Sequence, residues 1–362
     1  MFFSKKKIKS ILGIDIGTSS IKVVQLRRSE QRFKLETYGE ISTFGYLERL
    51  SDAFQTTSLR TLEAVTRELL KILLEKIEAT TKQAVMAVPI FSSFVSVMEM
   101  PEMAEKELSR AVEFEARRYV PIPLGEVALD WKVIESGLIK DGISSQPFKG
   151  TRILLIAVPK EVVNKYIRLA DILGFKISAL ELESFSVVRS LLTNDKGSAC
   201  ILDIGARATS FTIFDNGTVQ MSHSLDTAGA EITKTLATGL GISSKRAEEF
   251  KLTYNQGEKP GQGIKDDVTE LLYLSVDKII DESERMIADY ESRTNRKIEK
   301  IILNGGTTCL SGLREYVEKR LNTKTFIADP WTQIIYPSAL QTTLKEIGPR
   351  FSGAIGAAMR IS

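Results

Sequence analysis

The chain has 362 residues, 43% of them hydrophobic and 26% charged, which is typical of a globular protein with two domains or one large bilobal unit. Its 49 lysines and arginines against 46 acidic residues give a net charge of +3, too balanced for a nucleic-acid-binding protein. One histidine and two cysteines exclude most zinc sites, disulfide frameworks and histidine-based nucleophiles. No apolar run reaches the ~20 residues of a spanning helix, so we expect a cytoplasmic protein.

Hydrophobic periodicity and turn residues predict a first half in which strands outnumber helices. Strands are predicted at Ile11–Ile16, Ile21–Arg27, Phe33–Glu40, Ala84–Val88, Phe94–Met100, Val127–Ile134, Arg152–Val158 and Lys176–Leu182. Helices are predicted at Leu59–Glu78, Glu105–Tyr119, Glu161–Leu173 and Ser184–Leu192. The polar segment Ser136–Gly150 is expected to be a loop.

The second half begins with another three-stranded meander and continues mainly as helices. Strands are predicted at Ala199–Ile204, Thr209–Asp215, Thr218–His223 and Ile298–Leu303. Helices are predicted at Glu231–Gly239, Ser244–Leu252, Asp266–Glu291, Ser311–Leu321 and Ser352–Ile361. The glycine- and proline-containing stretch Gln256–Gly263 is predicted to be a loop.

One strand–turn–strand unit occurs twice along the chain. Gly13-Ile14-Asp15-Ile16-Gly17 and Ile201-Leu202-Asp203-Ile204-Gly205 each end a predicted strand, turn tightly and enter another strand. Such a duplication predicts two lobes of similar topology, with a ligand site between their turns.

The first of these turns carries residue types that bind phosphate. The segment Gly17–Ser20 exposes backbone N–H groups and adds three hydroxyl donors. Lys22 supplies a positive charge for a phosphate oxygen, and Asp15 supplies a carboxylate that can hold hydrated Mg²⁺. An ordinary capped hairpin is the alternative, because so short a motif recurs by accident.

Three later elements add to this pattern. Asp203 and Gly205 repeat the carboxylate and the glycine, so two hairpins would hold a polyphosphate from opposite sides. Gly305–Thr307 follows an apolar strand, where glycines let a planar base lie against the backbone; a plain strand-to-helix turn is the alternative. Glu248 and Lys251 share one helix face and would reach a ribose and a base edge, whereas a solvated surface ion pair is the alternative.

The order of these motifs resembles that of actin-like ATPases, in which two phosphate motifs precede an adenosine motif. Within that fold the chain is similar to the PilM family of type IV pilus assembly proteins. The similarity is carried by residues 13–26, by Met100–Met103 and by residues 112–130, the last of which resemble the subdomain inserted in PilM and in the cell-division protein FtsA. The resemblance implies a bilobal α/β fold, made of a duplicated RNase H-like unit with an inserted subdomain.

The resemblance also implies a division of the chain into four parts. These are a first lobe of residues 1–90 and 174–196 with the C-terminal helix 350–362, an inserted subdomain of residues 91–173, a second-lobe core of residues 197–240 and 298–349, and a helical subdomain of residues 241–297.

By the same resemblance, the chain would bind ATP and Mg²⁺. Asp15 and Asp203 would hold the Mg²⁺ through water, Lys22 would meet the β-phosphate, and Glu183 would orient an attacking water. The implied nucleotide-binding residues are Asp15, Gly17, Thr18, Ser19, Ser20, Lys22, Asp203, Gly205, Ala206, Arg207, Gly229, Glu248, Lys251, Gly305, Gly306 and Thr307.

Two departures from the family pattern lie in the second lobe. Ala206 stands where many relatives have a glycine, and Thr227-Ala228-Gly229 replaces a Gly-Gly pair. We therefore expect looser phosphate contacts on that lobe.

The function implied by the resemblance is an ATP-binding cytoplasmic scaffold at the inner face of the cytoplasmic membrane, with slow or absent ATP hydrolysis. Its partner would be the N-terminal cytoplasmic peptide of a PilN-like membrane protein, with further pilus assembly components. The scaffold would meet the membrane only through that partner, and no nucleic acid is expected.

Two alternatives compete with the scaffold. A sugar or acetate kinase of the same fold needs an acidic acceptor loop, which we do not find in the sequence. An FtsA-like membrane-associated filament predicts a basic amphipathic tail, whereas this chain ends at Met359-Arg360-Ile361-Ser362.

Overall fold

A computed structural model of the protein describes residues 10–29, 32–43, 56–139, 148–253 and 264–360. The chain divides into two compact units, each assembled from segments that are distant in sequence. The first unit comprises Met1–Pro89, Glu161–Thr193 and Asp329–Ser362, and the second comprises Ile90–Lys160 and Asn194–Ala328. This division is coarser than the four parts implied by the resemblance, whose boundaries stay a prediction.

The elements of both units follow in chain order. The strands are β1 (Ser10–Ile16), β2 (Ser20–Ser29), β3 (Arg32–Ser42), β4 (Gln83–Val88), β5 (Phe94–Pro101), β6 (Val127–Ile139), β7 (Phe148–Pro159), β8 (Lys176–Leu182), β9 (Ala199–Ile204), β10 (Thr209–Asp215), β11 (Thr218–Leu225), β12 (Lys300–Asn304), β13 (Thr325–Ile327) and β14 (Ile334–Ile335). The helices are α1 (Thr56–Lys76), α2 (Glu105–Glu115), α3 (Lys160–Leu173), α4 (Glu183–Leu192), α5 (Gly229–Leu240), α6 (Ser244–Thr253), α7 (Ile264–Thr294), α8 (Leu313–Leu321) and α9 (Gln341–Ala358). None of the helices in the described ranges is long and apolar enough to cross a membrane.

The two units contain sheets with the same strand order. In the first unit β3, β2 and β1 form an antiparallel meander, followed by β4 and β8 in parallel; in the second, β11, β10, β9, β12 and β13 repeat that arrangement. The first hairpins also close alike: the Gly17 N–H donates to Ser20 O at 3.0 Å, and the Gly205 N–H donates to Ala208 O at 3.2 Å. The predicted duplication of the fold is therefore confirmed.

A separate sheet of β5, β7 and β6, called here the inserted sheet, belongs to the second unit. Its apolar face packs with α2 in a core that includes Met98, Val112 and Ile153. The inserted sheet contacts β11, where Lys132 Nζ donates to Thr218 Oγ1 at 2.9 Å. The segment that interrupts the first unit in sequence is thus bonded to the second.

A buried arginine strengthens this attachment. Arg152 on β7 donates to Glu99 Oε1 and to Glu135 Oε2, both at 2.9 Å, and also to the carbonyl of Arg293 at the end of α7, at 3.4 Å. Because the guanidinium is buried, its charge must be compensated by these acceptors. Arg152 therefore joins all three strands of the inserted sheet to the long helix of the same unit.

Glycines let α9 approach the first-unit sheet at backbone distance. A Cβ at Gly13 of β1 would lie 1.9 Å from Ala354 O, and a Cβ at Gly356 would lie 1.7 Å from Ser186 O of α4. Any side chain at these positions would collide with backbone atoms, so β1, α4 and α9 can pack this closely only because the residues are glycines.

A cluster of ionic hydrogen bonds around buried Glu181 joins β8 to the contact between α4 and α9. Glu181 at the end of β8, only 4% exposed, accepts hydrogen bonds from Arg189 at 2.5 and 2.8 Å, from Ser186 at 2.5 Å and from Arg360 at 2.5 Å. Arg189 also donates to Gly356 O at 2.7 Å. Burial by itself would raise the pKa of Glu181, but the hydrogen bonds and charge of Arg189, together with Ser186 and Arg360, hold it below its ordinary value.

The final helix differs from its prediction. It was expected at Ser352–Ile361, but α9 covers Gln341–Ala358 and contains Pro349. A proline costs a helix one backbone hydrogen bond, and for this reason the sequence favours a later start. Burial of the preceding turn outweighs that cost: Gly348 and Pro349 are buried, and a Cβ at Gly348 would lie 3.2 Å from Trp331.

Two predicted loops are only partly described. Within Ser136–Gly150, the strands continue to Ile139 and restart at Phe148, because β6 and β7 remain paired as a hairpin beyond the expected ends. Residues 140–147 of that loop, and all of the predicted loop Gln256–Gly263, lie outside the described ranges.

Other elements follow the prediction closely. The strands β8, β9 and β10 have the predicted bounds. The helix expected from Ser311 begins at Leu313, since Gly312 adopts a left-handed conformation with φ of 80° that a helix cannot contain. The short strands β13 and β14 were not predicted, because two or three residues carry too little periodicity.

We predict that Glu181→Gln lowers the free energy of unfolding by about 3 kcal/mol at pH 7, because Arg189 and Arg360 lose their anionic partner. The pKa of Glu181 is lower in the folded protein, so its stabilisation is present above the ordinary glutamate pKa and is lost as pH falls through the folded-state value. Urea unfolding at pH 7 and at about pH 4 should therefore show a smaller difference between variant and wild type in acid.

Glu115→Gln is the matched control, since Glu115 pairs with a largely exposed arginine, Arg118, at 3.2 Å. Its effect should stay within about 0.5 kcal/mol. An equal loss of stability for Glu181→Gln at both pH values would contradict the role assigned to the carboxylate.

Candidate functional site

The first-unit turn is held in shape by hydrogen bonds from the end of β3. The Thr43 N–H donates to Ser19 O at 2.8 Å, and Thr43 Oγ1 donates to Thr18 O at 2.7 Å. Together with the hydrogen bond from the Gly17 N–H to Ser20 O, these contacts fix the backbone conformation of the turn without a ligand. The turn residues predicted from the sequence therefore form an ordered loop between β1 and β2.

Charged groups collect next to this turn. Asp15 and Lys22 are cross-strand neighbours, and Lys22 Nζ lies 4.0 Å from both Asp15 Oδ2 and Glu40 Oε1. Glu40 accepts a hydrogen bond from Ser20 Oγ at 2.7 Å and pairs with Arg350 of α9 at 3.3 Å. The sequence predicts that the Ser20 hydroxyl donates to a phosphate, but in the structure its proton is donated to Glu40.

Asp15 is a buried carboxylate with an unusual titration. Burial raises the pKa of Asp15; the positive charge of Lys22 acts against that rise, and the negative charge of Glu40 adds to it. The charged form of such a buried acid is stabilised by a nearby cation.

Glu183 is brought next to Asp15 by the close packing of α9. A Cβ at Gly353 of α9 would lie 3.3 Å from Asp15 Oδ2 and 3.7 Å from Glu183 Cγ, so the glycine leaves space beside both acids. Tyr166 of α3 is buried close enough to both acids to interact with their charges. Burial raises the pKa of its hydroxyl, and the negative charges of Asp15 and Glu183 raise that pKa further.

The second-unit turn is bonded to the start of α5. The Gly229 N–H donates to Gly205 O at 3.0 Å, and the Ala230 N–H donates to Ala206 O at 2.8 Å. A Cβ at Gly229 would lie 2.8 Å from Thr307 Oγ1 and 3.1 Å from Gly205 O. Close packing therefore requires a glycine at position 229.

Lys251 is buried, which excludes the solvated ion pair that the sequence left open for it. Only 5% exposed, it donates to Gly229 O at 3.0 Å and to Thr233 Oγ1 at 2.9 Å, and pairs with Glu248 Oε2 at 2.7 Å. Thr233 Oγ1 also donates to Glu248. An ammonium group has three N–H donors, so all of them are used within the chain.

Gly305 is a glycine for reasons internal to the chain. Its φ of 90° is a conformation that residues with a side chain rarely adopt, and a Cβ there would lie 2.4 Å from Ile204 O and 2.6 Å from Asp203 Oδ1. Gly306 begins a short 3₁₀ turn, in which Thr307 Oγ1 donates to Gly205 O at 3.4 Å. The glycine pair thus lies directly beside the second-unit turn.

The structure brings the predicted residues together in two groups. In the first unit these are Asp15, Lys22, Glu183 and the turn 17–20; in the second they are Asp203, the turn 205–207, Gly229, Glu248, Lys251 and 305–307. No group of three or more histidine, cysteine, aspartate or glutamate side chains placed for a metal ion occurs among the described residues.

Sequence reasoning missed Glu40, Thr43, Tyr166 and Gly353. Glu40 could have been found, because extending the β2–β3 pairing of the predicted meander places it opposite Lys22. Tyr166 and Gly353 gave no such signal, since only tertiary packing brings α3 and α9 to Asp15.

Comparison with known proteins identifies the family and the fold. A family model described as type IV pilus assembly protein PilM matches residues 13–362. Among solved structures, a PilM–PilN type IV pilus biogenesis complex is similar with a TM-score of 0.80 at 22% identity, over 98% of this chain and 98% of that chain. MreB 5 of Spiroplasma citri bound to AMPPNP has a TM-score of 0.51 at 12% identity, over 96% of this chain and 95% of that chain.

Curated relatives include cell division proteins FtsA. The protein from Bacillus subtilis (strain 168) is 24% identical over 66% of this chain and 57% of its own length. That from Buchnera aphidicola subsp. Acyrthosiphon pisum (strain APS) is 22% identical over 50% of this chain and 49% of its own length. The matched region thus spans about half of these relatives, and the fold shared with the solved structures is that of actin-like ATPases.

We predict that Lys251→Met lowers the free energy of unfolding by about 3 kcal/mol, since it leaves Glu248 without its cation and removes the hydrogen bonds from the buried ammonium to Gly229 O and Thr233 Oγ1. Chemical denaturation measures the loss. Lys245→Met on the exposed face of α6 is the control and should change stability by less than about 0.5 kcal/mol. Equal effects of the two substitutions would contradict the anchoring role of Lys251.

Proposed function

This chain belongs to the family of type IV pilus assembly protein PilM, and we propose that it binds ATP with Mg²⁺ and presents its inserted subdomain to a PilN-like membrane partner. The observation that carries the proposal is that the β1–β2 hairpin of the first unit and the β9–β10 hairpin of the second each turn at a glycine, with an aspartate on the strand before it. MreB 5 of Spiroplasma citri, a protein of the same fold, has been solved with AMPPNP bound, which supports this interpretation.

In the first unit, Lys22 is suited to contact a phosphate. Its Nζ lies 4.0 Å from Asp15 and from Glu40, farther than a hydrogen bond, so its N–H groups can donate to a phosphate oxygen without breaking either contact. The turn N–H groups of Thr18 and Ser19 would donate to the same anion.

The acids around Gly353 fit a hydrated Mg²⁺. This ion takes one or two carboxylates, keeps several waters and binds phosphate oxygens, so it does not need a cluster of three protein ligands. Asp15 would hold it through water, and Asp203 would do so on the second-unit turn. When bound, Mg²⁺ would neutralise charge on the phosphates.

Glu183 is the candidate for orienting a water, if ATP is hydrolysed. It lies beside the same space as Asp15, at the start of α4. Slow or absent hydrolysis is sufficient for a scaffold, because ATP then acts as a bound ligand.

In the second unit, some of the predicted residues would contact the nucleotide, and others hold the turn in place. The Gly205–Arg207 turn would hold phosphates through the N–H groups of Ala206 and Arg207, since the Gly205 N–H already closes the hairpin, and Gly306 and Thr307 would face the adenosine. Lys251 has its three donors occupied, so we assign it to holding α5 against the turn, with Glu248 left to approach a ribose hydroxyl.

The inserted subdomain is where we place the partner. Phe114 on α2 is 69% exposed, and Tyr119, just beyond the following 3₁₀ turn, is also exposed. Large aromatic side chains on a surface are typical anchors for a docking peptide. The PilM–PilN complex with this fold supports a PilN-like partner, whose N-terminal cytoplasmic segment would bind near α2 and Val120–Pro123.

We predict that Asp15→Ala and Lys22→Ala each weaken Mg²⁺–ATP binding roughly 10- to 150-fold, because a charge-assisted contact contributes about 1.5–3 kcal/mol. Isothermal calorimetry measures the affinity. Arg27→Ala, which removes an exposed cation from the same strand as Lys22, is the control and should bind ATP normally. Wild-type affinity in both site variants would refute the assignment.

For the partner, we predict that Phe114→Ala and Tyr119→Ala each weaken binding of the partner's N-terminal peptide by about 30-fold, the usual effect of losing an aromatic anchor. Fluorescence anisotropy of a labelled peptide measures it, with Ile172→Ala on the exposed face of α3 as control. Undiminished peptide binding by both aromatic variants would show that the peptide docks elsewhere.

A further inference from the structure

A cation–aromatic contact joins the second-unit turn to the start of the inserted sheet. The Arg207 guanidinium carbon lies 5.6 Å from the centre of the Phe91 ring. Arg207 is an exposed residue of the glycine turn between β9 and β10, and Phe91, 40% exposed, lies in the 3₁₀ turn Ile90–Ser92 immediately before β5. Both residues belong to the second unit.

This contact is compatible with phosphate binding by the same arginine. A guanidinium stacks on an aromatic ring through its flat face and keeps its N–H donors along the edges. The ring therefore limits the positions open to a long, otherwise exposed side chain without occupying its donors. Fewer free conformations lower the entropy cost when the arginine binds an anion.

We propose that Phe91 is a positioning residue for Arg207, so that phosphate binding at the 205–207 turn and the order of the inserted sheet stabilise each other. The proposal rests on the ATP binding proposed above and assigns its coupling to one side-chain pair. By thermodynamic linkage, if an ordered Phe91 favours phosphate binding by some free energy, then bound phosphate favours the ordered position of Phe91 by the same free energy.

The backbone around Phe91 provides the path from the pair to the sheet. Ile90 is buried, and its carbonyl accepts a hydrogen bond from the Ser93 N–H at 3.0 Å. β5 begins at Phe94 and is paired along its whole length with β7, which is paired in turn with β6. On the other side, the Ile90–Ser92 turn contacts β11, the strand paired with β10, which leaves the Gly205–Ala208 turn.

The test compares Phe91→Leu, which removes the ring and keeps an apolar side chain, with Phe91→Tyr, which keeps the ring. Phe326→Leu is the matched control, since Phe326 has Lys324 over its ring at 5.3 Å and is 42% exposed, but lies on β13. Each full-length variant is titrated with Mg²⁺–ATP by calorimetry. Hydrogen–deuterium exchange of β5 is measured with and without ATP.

We expect Phe91→Leu to weaken ATP binding about 2- to 5-fold, the range of an exposed cation–aromatic contact. ATP should slow amide exchange of β5 in the wild type, in Phe91→Tyr and in Phe326→Leu, and should slow it much less in Phe91→Leu. Arg207→Lys keeps the charge and loses the planar group; combined with Phe91→Leu, it should give less than the sum of the two single effects.

Wild-type ATP affinity together with wild-type protection of β5 in Phe91→Leu would overturn the proposal. So would additive effects of the two substitutions, or a wild-type protein that binds ATP with no change in β5. Failure of the wild type to bind ATP at all is a different result: it refutes the proposed function itself. Should Phe91→Leu fold poorly, Phe91→Tyr and Arg207→Lys decide the matter, because loss of coupling in Phe91→Tyr or full coupling in Arg207→Lys contradicts the proposal.

Discussion

Backbone-to-backbone packing of α9 against β1 and α4 is the constraint on which the first unit depends. Glycines at positions 13 and 356 permit it, because any Cβ there would overlap a main-chain oxygen. Asp15 at the end of β1 and Glu183 at the start of α4 consequently lie on either side of Gly353. The Glu181 ion cluster holds the same junction through Arg189, which bonds the α9 backbone directly. Stability and site geometry therefore share one set of contacts.

The second unit builds its turn by a different means. Its hairpin carries the same closing hydrogen bond as the first, but the support comes from α5, whose first two N–H groups donate to carbonyls of the turn. Lys251 holds the start of α5 by donating to Gly229 O and Thr233 Oγ1 and by pairing with Glu248, and its own charge is buried as a result. The two turns thus share a closing backbone hydrogen bond but are supported by different elements.

The inserted sheet is bonded to a different unit from the one that it interrupts in sequence. Its strands interrupt the first unit in sequence, yet Arg152 and Lys132 bond it to α7 and β11 of the second. A partner that binds this sheet therefore acts on the unit that carries the Asp203 turn. The Phe91–Arg207 contact lies on that route, at the residue where the chain enters the sheet.

The sequence by itself determined the duplicated hairpins, the strands β8 to β10, and the two glycine turns with their aspartates, because alternation and turn chemistry are local properties of the chain. The roles proposed for Glu183 and Lys251 stay predictions, and the sequence did not give the surroundings of either residue. Only the tertiary structure decided that Pro349 lies inside α9, that Lys251 is buried, and that Tyr166 and Gly353 adjoin Asp15. The reason is physical: burial, a shifted pKa and a backbone contact depend on segments far apart in the chain, and no local pattern records which of them meet.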